Sequence, residues 1–526
     1  MIRTLTILSL AAVVLCGCKP TERTALRKKL PQKPEPEAPA VVEPALPVVA
    51  APEQPAPEPP APEPQPLEPA DSILLVNATL QEYDSMRPWN KENPRQARAH
   101  GVYIGEGRVL TIGRAVRNAT YVELILPDVS RTVPARVLRY DEDMNLALLT
   151  VAHEEDASIF DKRTPLPLGE PLKRGDKASY AGLINGVEPV HVGLQAENVA
   201  GDRVPLMVLR AERPLPEGQT AGVPVVCNDT LCALGLGYKK QDHLLQAVNA
   251  ELIQRFLTQD KAGVPIMGVE LVPLDDPVFR KYLKLDAAAS GLYISKVVPG
   301  SAAAEAGVQA GDVLTAVDAM PVDNQGRCDH PRYGLHHVSV LLRGMKACGQ
   351  ELPITISRGG ESHNLTVLMN RNAVDNALFR PQEPGVQPRY IMWGGLLFQP
   401  LTSTYMEELR ARSNGVLPLE LQMLEDAHEK LRESGCSELV GLTFVLPTAA
   451  TQGYDELRFS RLIAVNGKPV NRFADLPSLL DEQTDNGIVR LDFNKPPYTV
   501  YVDRVAADAV NSQLQQTAIP KLRVIE

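Results

Sequence analysis

Gly101-Val102-Tyr103-Ile104-Gly105-Glu106-Gly107-Arg108-Val109-Leu110-Thr111 decides how the central part of this chain folds. Two short apolar runs flank a turn rich in glycine, the residue that adopts turn conformations at no steric cost. The rhythm continues outward through Tyr121-Val122-Glu123-Leu124-Ile125-Leu126, Ala135-Arg136-Val137-Leu138 and Leu146-Ala147-Leu148-Leu149. Many short strands at this spacing predict a β-barrel or sandwich over residues 71–260. Near Asn249 to Leu257 the apolar residues fall at helical spacing, which predicts a helix.

Four blocks of this region carry a family resemblance, in order along the chain. Gly101-Val102-Tyr103-Ile104, then Val109-Leu110-Thr111 and Ala115-Val116, resemble the pattern "GxVI…ILTNxHVV" of the HtrA/Deg serine proteases. Asn145-Leu146-Ala147-Leu148-Leu149 resembles that family's "DLALL". Pro165-Leu166-Pro167-Leu168-Gly169, followed by Arg174-Gly175-Asp176, resembles "LPLG…xxGD". Gly218-Gln219-Thr220-Ala221-Gly222-Val223-Pro224 stands where the family has "GNSGGP". The resemblance implies a multidomain chain: an all-β, trypsin-like double β-barrel, then an α+β PDZ domain and a second α+β PDZ-like domain.

A serine protease needs a nucleophilic Ser, a His base and an Asp that orients the His. By the resemblance, the His position holds Arg114, which keeps its proton at neutral pH. The Asp position holds Asn145, whose amide does not stabilise an imidazolium as a carboxylate does. The Ser position falls on Thr220 or Ala221. A Thr without a base is a weak nucleophile. Val223 replaces a glycine of the pattern, a place expected to need positive φ. His100, His153, His191 and His243 lie outside the recognisable blocks and read as surface or satisfied core residues. The expectation is an inactive protease fold. The alternatives are an active endopeptidase with a relocated triad and a regulatory subunit of an active paralogue.

Residues 262–372 read as the PDZ unit. Val264-Pro265-Ile266-Met267-Gly268-Val269 resembles the first PDZ strand and its carboxylate-binding loop. Val298-Pro299-Gly300-Ser301-Ala302-Ala303 and Ala306-Gly307-Val308-Gln309-Ala310-Gly311-Asp312-Val313-Leu314 match the family's "PGSPAAxAGLxxGDVI". The resemblance assigns Met267, Gly268 and Val269 to capture of a peptide carboxylate, the peptide adding as a strand. Val338, Leu341 and Leu342 are the candidates for the helix side of the groove. A helix is expected from Val338 to Lys346, and the segment Cys328 to Tyr333 departs from the usual pattern. Residues 385–526 resemble the last, PDZ-like domain of plant-type Deg proteases, through Tyr390-Ile391-Met392-Trp393-Gly394-Gly395-Leu396-Leu397 and Val465-Asn466-Gly467-Lys468-Pro469-Val470. Helices are expected there at Thr404–Arg412 and Pro418–Ser434.

The first eighteen residues read as a signal peptide with a lipobox, Leu15-Cys16-Gly17-Cys18, and Cys18 as the lipidated residue. Lys19, which is not Asp, favours the outer membrane by analogy with enteric bacteria. The expected location is the cell envelope, anchored by lipid and facing the periplasm. Residues 19–70 are a linker of Pro, Glu and Ala, too poor in large apolar groups to fold. Extended, it reaches roughly 150 Å. An oxidising compartment permits disulfides, with Cys227–Cys232 and Cys328–Cys348 as candidate pairs and Cys436 left over. No histidine lies near either pair at zinc-site spacing, and no metal or cofactor is expected. A net charge of −10 offers no footprint for nucleic acid. The expected partners are unfolded proteins or peptide C-termini, with a homotrimer or an active paralogue as possible assemblies.

Overall fold

Alternate side chains of Ile73–Leu80 point inward and are buried, and this two-residue rhythm curls six strands into a closed barrel. The computed structural model describes residues 69–126, 131–184, 188–201, 204–259, 263–286 and 289–526. The signal segment, Cys18 and the linker up to residue 68 lie outside the described residues. Around the first barrel the strands run Ile73–Leu80, Arg95–Gly105, Arg108–Ile112, Leu146–Val151, Arg131–Asp141 and Ala119–Leu126. A second closed barrel follows, ordered Glu188–Ala200, Leu206–Ala211, Leu244–Asn249, Thr230–Lys239, Pro224–Cys227 and Lys177–Ile184. Closure leaves neither sheet an open edge.

Each barrel has its own apolar filling: Val76, Leu124 and Leu149 in the first, Tyr180, Leu209 and Leu245 in the second. A third cluster joins them, where Val102, Leu110 and Leu146 meet Leu183, Leu234 and Val248. The helix Ala250–Thr258 seals this seam with Ile253 and Phe256. Asn249 caps it, its side-chain oxygen accepting the Ala250 N–H at 3.1 Å.

The PDZ unit has a sheet ordered Val269–Pro273, Leu292–Val297, Val313–Val317, Glu351–Arg358 and Glu361–Leu368. Ser301 caps the short helix Ala302–Glu305. The expected helix from Val338 to Lys346 is shorter, Ser339–Leu342. Arg343 is extended and bridges Ile266, and Gly344 follows with a φ of 77°. The chain leaves helical geometry to make that bridge.

The PDZ unit is clamped to both barrels. Arg371 pairs with Asp143 at 2.6 Å, and Asp143 also accepts the Val264 N–H. The hairpin Arg327–His330 and Gly334–His337 lies against the second barrel and buries Tyr333 in its core. Glu251 accepts from the Tyr333 hydroxyl at 2.9 Å and pairs with Arg332 at 3.0 Å. The Arg255 guanidinium donates to the carbonyls of Gly344, Met345 and Lys346. The departure at Cys328 to Tyr333 is therefore an interdomain contact.

The C-terminal sheet runs Thr499–Asp503, Ile488–Phe493, Ser460–Val465, Val440–Val445, Leu396–Pro400, Tyr390–Trp393 and Arg523–Val524. Trp393, Phe398 and Phe473 fill its core. The helix expected over Pro418–Ser434 breaks at Ala427 into Leu419–Asp426 and His428–Glu433.

Candidate functional site

Pairing of Ile112 with Leu146 sets two loop ends side by side. One is the single 3-10 turn Gly113–Ala115, which presents Arg114. The other ends at Asn145, whose φ of 53° is a conformation asparagine tolerates better than most residues. The Asn145 side-chain oxygen accepts the Arg114 backbone N–H at 2.7 Å, and its carbonyl accepts the Gly113 N–H at 2.8 Å. Arg114 and Asn145 are thus in contact.

The Arg114 guanidinium crosses the seam and donates to the carbonyl of Leu236 in the second barrel. Leu236 is the extra residue of a bulge between Gly235 and Gly237, so its carbonyl stands outside the regular ladder. Burial lowers the Arg114 pKa, yet a guanidinium stays charged at neutral pH.

Thr220 is buried in a loop held from three sides. The Gly222 N–H donates to the Gly235 carbonyl at 2.8 Å, the His100 N–H to the Ala221 carbonyl at 2.8 Å, and the Tyr180 hydroxyl to the Gln219 carbonyl at 3.0 Å. Gly218 and Gly222 carry the positive φ values of this loop, 69° and 72°. The expectation for Val223 is corrected: its φ is not positive, because Gly222 makes the turn. Beside the loop lies a cleft of about 500 Å³ between the barrels, lined by Asn77, Arg98, His100, Glu217, Gln219 and Ala221.

His100 is the one histidine of the first two barrels that reaches this cleft wall. Its Nε2 accepts the Leu183 N–H at 3.2 Å, so that lone pair is already engaged. Burial pushes its pKa down from 6.5 to about 4, against the raising influence of the Ala221 and Leu183 backbone. His153 and His191 are exposed. Because the folded value lies below the unfolded one, the unfolded chain binds more protons between pH 4 and 6.5. Stability therefore rises with pH across that window, is complete above it, and loses on the order of 3 kcal/mol towards its lower end. Urea unfolding at pH 7 and pH 4.5 checks this, and His100→Gln should flatten the dependence. An unchanged slope in the variant would remove His100 as its source.

In the PDZ unit, Val269–Pro273 is the edge strand, paired on one side only with Leu292–Val297. Gly268 precedes it with a φ of 82°, and a Cβ there would meet the Ser301 Cβ at 2.3 Å. The Met267 N–H donates to the Leu342 carbonyl at 3.1 Å. Met267, Val338, Leu341 and Leu342 are all buried in the PDZ core. The three helix-side candidates pack into this core, and Leu341 also lines a cleft of about 760 Å³ with Arg255, Met320 and Met345.

All five described cysteines are free thiols in this structure. Cys328 is buried, its sulfur 3.7 Å from the His336 carbonyl, while Cys348 is exposed. Cys436 donates to the Glu438 carbonyl at 3.1 Å. Among the described residues no group of three or more His, Cys, Asp or Glu side chains is arranged to hold a metal ion. None of the described helices is long and apolar enough to cross a membrane. The clamp residues Asp143, Glu251, Arg255 and Arg371 escaped sequence reading, since scattered charges carry no periodic signal.

Two closed barrels with a linking loop at their seam, followed by PDZ-type units, define a trypsin-fold protein with PDZ domains. Family models for the PDZ domain match residues 293–344 and 380–524. "Protease Do-like 2, chloroplastic" of Arabidopsis thaliana is 24% identical over 458 residues, covering 84% of this chain and 72% of its own length. "Periplasmic serine endoprotease DegP" of Escherichia coli K12 is 23% identical over 297 residues, covering 52% of this chain and 57% of its own. The solved "HtrA-type protease AlgW with decapeptide" overlays with a TM-score of 0.41 at 18% identity, covering 58% of this chain and 96% of that one. The chain belongs to the HtrA/Deg family of trypsin-fold proteases with PDZ domains.

Proposed function

We propose that this chain is a catalytically silent member of its family, which binds C-termini or unfolded segments of other proteins in the cell envelope. The observation that carries the reading is Arg114. Its backbone is held by Asn145 at the seam where the resemblance places a catalytic His and Asp, and its side chain is committed to Leu236. A permanently charged guanidinium takes no proton from a hydroxyl, so Thr220 has no base there. His100, the histidine that lines the adjoining cleft, has its Nε2 engaged by Leu183.

Binding falls to the PDZ unit. The open edge of Val269–Pro273 supports addition of a peptide strand, with the Gly268 turn at its head. The Met267 N–H is bonded to Leu342, so that donor reaches a carboxylate only once the bond opens. The lipobox ending at Cys18 supports tethering to a membrane facing the periplasm, with Lys19 favouring the outer one.

The test uses unfolded casein and a free-carboxylate peptide. The wild type and Thr220→Ala should hydrolyse casein at the same background rate. The peptide should bind at least about tenfold more tightly than its amide, given the strength of charge-assisted bonds. Hydrolysis by the wild type that Thr220→Ala abolishes would make this an enzyme.

A further inference from the structure

Cys227 and Cys232 sit at the tip of the hairpin formed by Pro224–Cys227 and Thr230–Lys239. The turn between the strands has only two residues, Asn228 and Asp229, both at positive φ, 47° and 58°. That tight turn pairs Cys227 with Thr230. The register then slips: Val226 faces Leu231 and Val225 faces Ala233. Cys232 falls in the slip, opposite no single residue. The two residues are neighbours through Thr230, whose hydroxyl donates to the Cys227 carbonyl at 2.8 Å and lies 3.8 Å from the Cys232 sulfur.

Their surroundings differ from those of a buried structural cysteine. Both line a cleft of about 1050 Å³, with Lys173, Asp176, Glu251 and Arg332 on its walls. Cys227 is half-exposed at this cleft and Cys232 is buried at its wall. Gly169 packs against the pair with no room for a side chain, for a Cβ there would sit 3.3 Å from the Cys232 sulfur and 2.0 Å from the Thr230 hydroxyl. The hydrogen bond from Cys227 holds the Cys232 thiol down to about 7, while Cys227 itself is pushed up. The pair therefore carries one thiolate near neutral pH, the form that reacts.

We propose that Cys227 and Cys232 form a reversible thiol–disulfide exchange site, whose substrate is the disulfide of a low-molecular-weight, carboxylate-bearing thiol. Lys173 supplies a cation for a carboxylate and Asp176 an anion for an ammonium group, while Glu251 and Arg332 stay in their ion pair on the far wall. The Cys232 thiolate, which lines the cleft, is the attacking group. It attacks one sulfur of the incoming disulfide and expels the first small thiolate. Cys227 then gives up its proton and attacks the Cys232 sulfur, expelling the second. The Cys227 proton ends on one released thiol, and the other takes its proton from water. The cysteine pair has lost two electrons, and the small disulfide has gained them.

The experiment incubates the full chain with reduced and oxidised glutathione in varying ratio, alkylates with N-ethylmaleimide, and weighs the peptide spanning both cysteines. The expected result is a single step from two labels to none, with no glutathione retained, while buried Cys436 keeps its label. In Cys227→Ser the same peptide should retain Cys232 labelling or carry a glutathione adduct. Two labels at every ratio would overturn the proposal, as would a wild-type peptide that stops at a stable glutathione adduct. Should Cys227→Ser not fold, the wild-type labelling decides alone.

Discussion

The triple variant Arg114→His, Asn145→Asp, Thr220→Ser is expected to hydrolyse casein at least about 100-fold faster than the wild type, while each single variant stays within about twofold of it. The expectation follows from what the seam retains. Asn145 already accepts the Arg114 backbone N–H at 2.7 Å, so an aspartate there would stand beside a histidine with no change of loop geometry. Gly218 and Gly222 already hold the turn around Thr220 with the positive φ values that glycine permits. What is missing is side-chain chemistry: a base, an orienting carboxylate and a primary hydroxyl. These act as a unit, and restoring one leaves the others absent, so the gain should be strongly non-additive. Removing Arg114 also releases the contact with Leu236 and frees the seam for a substrate. A triple variant as silent as the wild type would mean that the Thr220 loop is not placed to meet the Arg114 turn, and that the degenerate site has lost geometry as well as chemistry.

The barrels were legible in the sequence because a strand with one buried face writes a two-residue alternation, as in Ile73–Leu80. The helix after Asn249 was legible because its cap and its apolar stripe are both local. Failures occurred where distant partners decide. The helix after Val338 ends early because Arg343 finds Ile266, some seventy-seven positions earlier in the chain. Val338 and Leu341 carry the same apolar signal whether they line a groove or fill a core, and in the structure both are buried while Leu341 also borders a cleft. Val223 was misjudged because a motif shows which residues stand together, and not which of them bears the positive φ. The cysteine pair was legible as a pair from its hairpin spacing. The cleft the pair lines was not, since Glu251 and Arg332 reach it from distant elements.

The same loop gives the second large effect. Gly222→Ala should cost about 3–4 kcal/mol of stability, from a positive φ that L-residues resist and a steric conflict that backbone must absorb. A Cβ at Gly222 would stand 2.2 Å from the His100 carbonyl oxygen and 3.2 Å from the Thr111 hydroxyl. Neither can swing away: the His100 N–H is tied to Ala221, and the Thr111 hydroxyl donates to that same His100 carbonyl at 2.8 Å. Gly218→Ala is the control, because its φ is nearly the same, 69° against 72°, yet nothing lies within 4 Å of its added Cβ. It should cost only about 1 kcal/mol, the backbone contribution alone. For barrels of this size the Gly222 variant should unfold roughly 10 °C below the wild type and the Gly218 variant only a few degrees below. Thermal and urea unfolding read both. Equal losses would show that φ alone matters and that the His100 contact yields easily. Unequal losses would mean that packing against the first barrel demands glycine at 222 whatever the loop does chemically, so a glycine pattern kept around Thr220 is by itself no sign of activity.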